Sequence, residues 1–167
     1  MLQDILITPT LNQYISDTCC ENGICVSIDE TIPREKYVII KVDEYYNSLN
    51  LPLTPPSIDC LIIRECANGS FGMTLVELKN IQKGSGFDLE NMVGKFTTTL
   101  EDFIKMKFPI LNAEYNEIKL FFVSQQELYK RDMGLKLEAL MNIRFNFNGQ
   151  KLMILPKMPT PTIKRCY

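Results

Sequence analysis

Residues 57–80 constrain the fold more than any other part of the chain. Two apolar runs, residues 58–66 and 71–79, flank the dipeptide Asn68-Gly69. Asn-Gly between apolar runs is a strong hairpin signal, because both residues tolerate the left-handed backbone that a tight turn requires. Three charged residues sit near the ends of these runs: Asp59 on the first, Glu77 and Lys79 on the second. Charges on otherwise buried strands are costly unless something compensates them. Two carboxylates and an ammonium grouped in this way can hold a divalent cation and act on a phosphate.

Whether the acids meet depends on the turn. With a two-residue Asn68-Gly69 loop, Asp59 pairs with Leu78 and the acids point to opposite faces. With a three-residue loop ending in a left-handed Gly69, a type I turn with a bulge, Asp59 stands opposite Glu77. Lys79 then shares their face. Both turns accept Asn-Gly, and only the bulged register groups the charges.

Composition narrows the chemistry. The chain has 167 residues and no histidine, which excludes Ser-His-Asp and Cys-His nucleophiles, His-ligated zinc and a His general base. Gly-Ser-Gly at 84–86 lacks the Lys-Ser/Thr of a phosphate-binding loop. No apolar run approaches the roughly 20 residues of a membrane span, so no membrane association is expected. The first residues lack a basic segment and carry Asp4 early, unlike a secretory signal, and a cytoplasmic protein is expected. The six cysteines are irregularly spaced; in that compartment they read as reduced thiols. Without His or a second C-x2-C pair, Cys19, Cys20 and Cys25 do not make a zinc site.

The net charge of −2 hides an asymmetry. Residues 1–78 hold 4 Lys+Arg against 11 Asp+Glu, a balance of −7, and residues 79–167 hold 14 against 9, a balance of +5. A basic half can face phosphates, although a solvated surface of mixed charge has the same signature.

Along the chain, residues 11–17 suggest a short helix and 24–28 a strand. Pro33 suits a first helical turn, and apolar residues from Tyr37 to Leu49 predict a helix with a wide buried face, ended by L-P-L-T-P-P at 51–56. Asp88 is an expected N-cap, with Phe87 and Met92 as its hydrophobic staple, opening a helix through Ile104. Residues 117–123 predict a buried strand, and S-Q-Q-E at 124–127 a capping box opening a helix to about Leu140. Residues 143–147 and 151–155 flank Asn148-Gly149 as a second hairpin, and 156–167, rich in proline, read as a tail after one domain over 1–155. The fold class is α/β or α+β, a mixed central sheet flanked by helices with an extra C-terminal hairpin.

I-D-C-L-I-I at 58–63 followed by V-E-L-K at 76–79 resembles the PD-(D/E)XK, or restriction-endonuclease-like, phosphodiesterases. The resemblance implies a core of helix, three strands, helix and strand across about residues 33–123. It implies metal-dependent hydrolysis of nucleic-acid phosphodiesters, with Asp59 and Glu77 as metal ligands and Lys79 orienting or activating the attacking water. It also implies a further acid from the preceding helix, Glu44 or alternatively Asp43, and nucleic-acid contacts from Gln82, Lys83 and Lys95. Ile58 stands where the family name has proline, with Pro55 and Pro56 just upstream. Oxygen-only ligands favour Mg2+ or Mn2+. DNA and RNA both remain open as substrate, and a small nuclease without a visible recognition domain would need a homodimer or protein partner for selectivity. The alternative is a catalytically inactive interaction module of the same fold, and a third is an unrelated scaffold with a chance motif.

Overall fold

A computed structural model describes residues 1–80, 86–125 and 134–167. Two short helices, α1 (Leu2–Ile7) and α2 (Pro9–Asn12), lead into strands β1 (Ile15–Ser16), β2 (Cys19–Glu21) and β3 (Ile24–Ile28). Then follow β4 (Tyr37–Lys41), α3 (Val42–Ser48), β5 (Cys60–Glu65), β6 (Phe71–Lys79) and α4 (Leu89–Thr98), which continues as a π-helical segment, Thr99–Lys107. Strand β7 (Glu117–Ser124), helix α5 (Gly134–Asn142) and strands β8 (Phe145–Phe147), β9 (Gln150–Leu152), β10 (Ile154–Lys157) and β11 (Thr162–Ile163) complete the order.

Among the described residues, the main sheet runs β1-β4-β5-β6-β7-β10. Strands β4, β5 and β6 are antiparallel neighbours, whereas β7 runs parallel to β6 and β10 parallel to β7. This is the mixed α+β sheet expected from the sequence. The parallel β6–β7 step needs a crossover, and α4 with its π-helical extension supplies it. Strand β6 is central and buried on both faces, which is why it reads as an almost unbroken apolar run.

Each face of the sheet carries its own core. Met73, Leu75, Phe96, Phe103 and Phe122 belong to the helix-covered side. Ile62, Val76, Leu78, Phe121 and Val123 belong to the other, which a small sheet of β11, β3 and β2 covers.

Four expectations need correction. The helix predicted over 33–49 is instead a 3-10 turn, a strand and then α3. Tyr37-Val38-Ile39-Ile40 sends Val38 and Ile40 into one core and Ile39 into the other, so its apolar breadth is a strand buried on two faces, which β-branched residues favour. The expected helix over 11–17 ends at Asn12, and Ile15–Ser16 pair with β4.

The cysteines are also not reduced. Cys19 bonds to Cys60, Cys20 to Cys25 and Cys66 to Cys166. Cys20 and Cys25 face each other across β2 and β3, and the other two pairs join segments 41 and 100 residues apart, so the spacing in sequence carried no pattern. Disulfides persist in oxidising environments, so these bonds do not fit the reducing compartment from which free thiols were expected. No described helix is long and apolar enough to cross a membrane.

The fourth correction is the tail. Residues 156–167 help form β10, which joins β7, and β11, which joins β3. The second hairpin is present as β8 and β9, with Asn148 (φ 47°) and Gly149 (φ 79°) at its turn. Gln126 and Glu127 of the expected capping box lie outside the described residues; Ser124 donates its hydroxyl to the Lys79 carbonyl oxygen at 2.5 Å instead.

Candidate functional site

The turn takes the bulged form. The Cys66 N–H donates to the Ser70 carbonyl at 2.7 Å and the Gly69 N–H to the Cys66 carbonyl at 3.1 Å. Gly69 adopts φ +81°, a conformation glycine reaches without steric cost. Cys60 then pairs with Val76 and Leu61 with Leu75. Continuing that register by one residue sets Asp59 opposite Glu77, and both line one cleft at the sheet end.

Neighbouring elements fix the two acids. The Leu78 N–H donates to Asp59 Oδ2 at 2.5 Å, and the Val42 N–H at the start of α3 donates to the Asp59 carbonyl at 3.1 Å. Asp88 caps α4 by accepting from the Asn91 N–H at 3.1 Å, with Phe87 and Met92 buried beside it as expected. About two turns further along α4, the Lys95 Nζ donates to Glu77 Oε1 at 2.7 Å. Thr99 accepts from the Ile58 N–H at 3.4 Å, tying the helix to the strand entry beside Asp59.

The cleft has a volume of about 440 Å³. Its charged lining is Glu21, Asp43, Asp59 and Glu77 against Lys79 and Lys95, and Pro55 and Pro56 stand at its wall. Asp59 is 5% exposed and Glu77 1%. Glu77 Oε2 and Asp43 Oδ1 are buried without a hydrogen-bond partner among the described residues. A carboxylate oxygen can only accept while ionised, so each vacancy calls for a donor or a cation.

Burial, with the Glu77 carboxylate second, pushes the Asp59 carboxyl up to about 8. Burial also raises Glu77, against the opposing pull of Lys95 and Lys79, and it raises Asp43. Burial works to lower Lys95, but Glu77 and Asp59 outweigh it and its pKa rises.

These shifts make a stability prediction. A carboxyl whose folded pKa lies above its unfolded value of about 3.9 stabilises fully below that value and loses the contribution as pH rises through the folded pKa. With chelator present, stability should therefore fall between about pH 4 and pH 8, by up to about 1.4 kcal/mol per pH unit for each extra proton held. Thermal unfolding across that window checks it. Asp59→Asn should flatten the slope; an equal slope in both proteins would contradict the assignment.

The site differs in part from the sequence expectation. Asp59, Glu77 and Lys79 share the cleft. Glu44 is exposed and absent from it, and Asp43, the alternative, lines it. The cause is the boundary: with α3 starting at Val42, Asp43 falls in its first turn beside the site. Lys95, expected at nucleic acid, is ion-paired to Glu77. Gln82 and Lys83 lie outside the described residues. Glu21 was missed altogether; Asn22-Gly23 between two short runs was the available signal, and both residues have positive φ.

The donor set is all oxygen, which suits Mg2+ or Mn2+. Among the described residues no three acidic or sulfur ligands converge on one ion-sized point. In comparison with known proteins, no family model, curated protein or solved structure matches the chain.

Proposed function

We propose that this chain is a divalent-metal-dependent nuclease that hydrolyses nucleic-acid phosphodiesters in the Asp59–Glu77 cleft. The observation that carries the reading is the hairpin register, which turns two buried carboxylates into one cleft and leaves Glu77 Oε2 without a partner. The resemblance to PD-(D/E)XK enzymes supports it. The antiparallel β5–β6 pair, crossover helix α4 and parallel β7 correspond to the second half of the core which that family implies, whereas its opening helix is replaced by β4 and α3 lies between β4 and β5.

Asp59 and Glu77 would hold Mg2+ or Mn2+, with Glu21 and Asp43 the further acids in the cleft. When bound, the ion supplies a Lewis acid that polarises a phosphoryl oxygen and acidifies water. Lys95 pairs with Glu77 Oε1, opposes the rise that burial imposes on its pKa, and leaves Oε2 for the ion. Lys79, half-buried in the cleft lining, offers its ammonium to the attacking water or to the charge that grows on the phosphate. Selectivity for DNA or RNA would come from a second copy or another protein.

The Lys95–Glu77 ion pair favours one second reading, a nuclease-fold interaction module whose site Lys95 already satisfies. Incubation with single- and double-stranded DNA and RNA separates the two. Cleavage should need Mn2+, stop with EDTA and fall about a hundredfold or more in Lys79→Ala. Cleavage that survives EDTA, or none on any substrate, would overturn the nuclease reading.

A further inference from the structure

Helix α4 and its π-helical continuation run without a break from Leu89 to Lys107, and the winding changes at Thr99. Thr99 is fully buried. A β-branched hydroxyl residue is a poor choice inside such a run, because its side chain crowds the preceding turn and competes for helix carbonyls. π-helical turns are frequent at functional sites, and this one begins at the contact with Ile58, the residue before Asp59.

Both hydrogen-bonding capacities of the hydroxyl are used. Thr99 Oγ1 donates to the Lys95 carbonyl oxygen at 2.9 Å and accepts from the Ile58 N–H at 3.4 Å. Ile58 is buried and precedes the first ladder pair of β5, Cys60 with Val76, so no strand partner takes its N–H among the described residues. A buried N–H left without an acceptor is costly. Valine in place of Thr99 would fill the same space and strand that group. The hydroxyl is therefore explained by the link it makes and not by the room it fills.

That link joins the neighbours of the cleft's charges. Ile58 precedes Asp59 in the chain, and Lys95, one helical turn before Thr99, pairs with Glu77 at 2.7 Å. Gly94, beside Lys95, brings the same stretch of α4 close to the strand entry: a Cβ there would lie 3.3 Å from Pro56 Cγ. Glycine weakens a helix interior, and here it permits the close approach. One polar contact and one steric contact thus fix how far α4 stands from the segment that carries Asp59.

We propose that Thr99 is a positioning residue of the cleft: its hydroxyl sets helix α4 against the Asp59 segment and so holds the Lys95 ammonium at Glu77. The inference rests on the metal reading of the cleft and extends it to a side chain that touches neither ion nor substrate.

Mn2+ titration of the full chain compares the native protein with Thr99→Val and Thr99→Ser. Thr99→Val keeps the shape and drops the hydroxyl, so Mn2+ should bind about tenfold more weakly. Thr99→Ser keeps the hydroxyl and should bind like the native protein. In a Lys95→Gln background Thr99→Val should cost nothing further, because the coupling runs through Lys95. A second readout needs no metal: acetylation of Lys95 by acetic anhydride in chelator, relative to Lys107, which is exposed on the same helical run. It should rise in Thr99→Val, as the amine leaves its ion pair, and stay native in Thr99→Ser. Native Mn2+ affinity in Thr99→Val, an equal loss in Thr99→Ser, or one acetylation rate in all three proteins overturns the proposal. Thr99→Ser alone can overturn it if Thr99→Val does not fold. Should the native protein bind no Mn2+, the metal reading falls, and the acetylation contrast still decides whether Thr99 positions Lys95.

Discussion

Glu77→Gln is expected to weaken Mn2+ binding about a hundredfold or more and to reduce cleavage about a thousandfold. Loss of an outer-shell partner alone costs a metal site ten- to a hundredfold, and here a ligand itself would change from anionic to neutral. One misplaced electrostatic contact to the reacting charge costs a further 10²–10³ in rate. The substitution preserves shape. The amide oxygen still accepts from Lys95, whose Nζ lies 2.7 Å from Glu77 Oε1 in the native protein, so the helix α4 contact survives. Folding should hold while ion binding goes. Circular dichroism and Mn2+-dependent cleavage, measured on one preparation, separate those outcomes. Cleavage at the native rate by the folded variant would remove Glu77 from the site.

Cys66→Ser with Cys166→Ser should destabilise the protein by about 4 kcal/mol, because that disulfide closes the longest loop and the entropy of an open loop grows with its length. For a chain of this size the melting temperature should drop by about 10 °C. The bond also anchors the C-terminal segment. The Ala67 N–H donates to the Cys166 carbonyl at 2.9 Å, and the Asn116 amide donates to the Tyr167 carbonyl at 2.6 Å. Strand β11, which covers the second core through Ile163, hangs from that anchor. The Cys20–Cys25 bond closes a separation of only 5 residues, so its removal should matter far less. Thermal unfolding of the two double variants measures the contrast. Equal melting temperatures in the native protein and the Cys66–Cys166 variant would contradict it.

The elements legible in the sequence were those whose signals agree at every level. The β5–β6 hairpin combined β-branched runs with Asn68-Gly69. Helix α4 combined a cap at Asp88, a staple and a sustained apolar stripe, and β7 was a bounded apolar run. The site followed from the first of these, because Asp59, Glu77 and Lys79 inherit their placement from the hairpin alone. Elsewhere long-range contacts decided. Residues 37–40 satisfy a helical pattern and a doubly buried strand equally, and only pairing with β1 and β5 chooses the strand. Asp43 could not be preferred to Glu44 without that boundary. Lys95 reaches Glu77 because α4 crosses back over the sheet, which no local spacing encodes. Disulfides between segments as distant as Cys66 and Cys166 leave no local trace either.

The most direct measurement is a calorimetric titration of Mn2+ into the native protein and into Glu77→Gln, in two buffers of different ionisation enthalpy at pH 7. A carboxyl held protonated by burial must release its proton when an ion binds, and Asp59 is raised to about 8. The native protein should therefore show saturable binding with proton release, and the variant neither. Buffer-independent heat, no ion-dependent heat in the native protein, or the same titration in both proteins would mean that the Asp59–Glu77 cleft does not hold a metal.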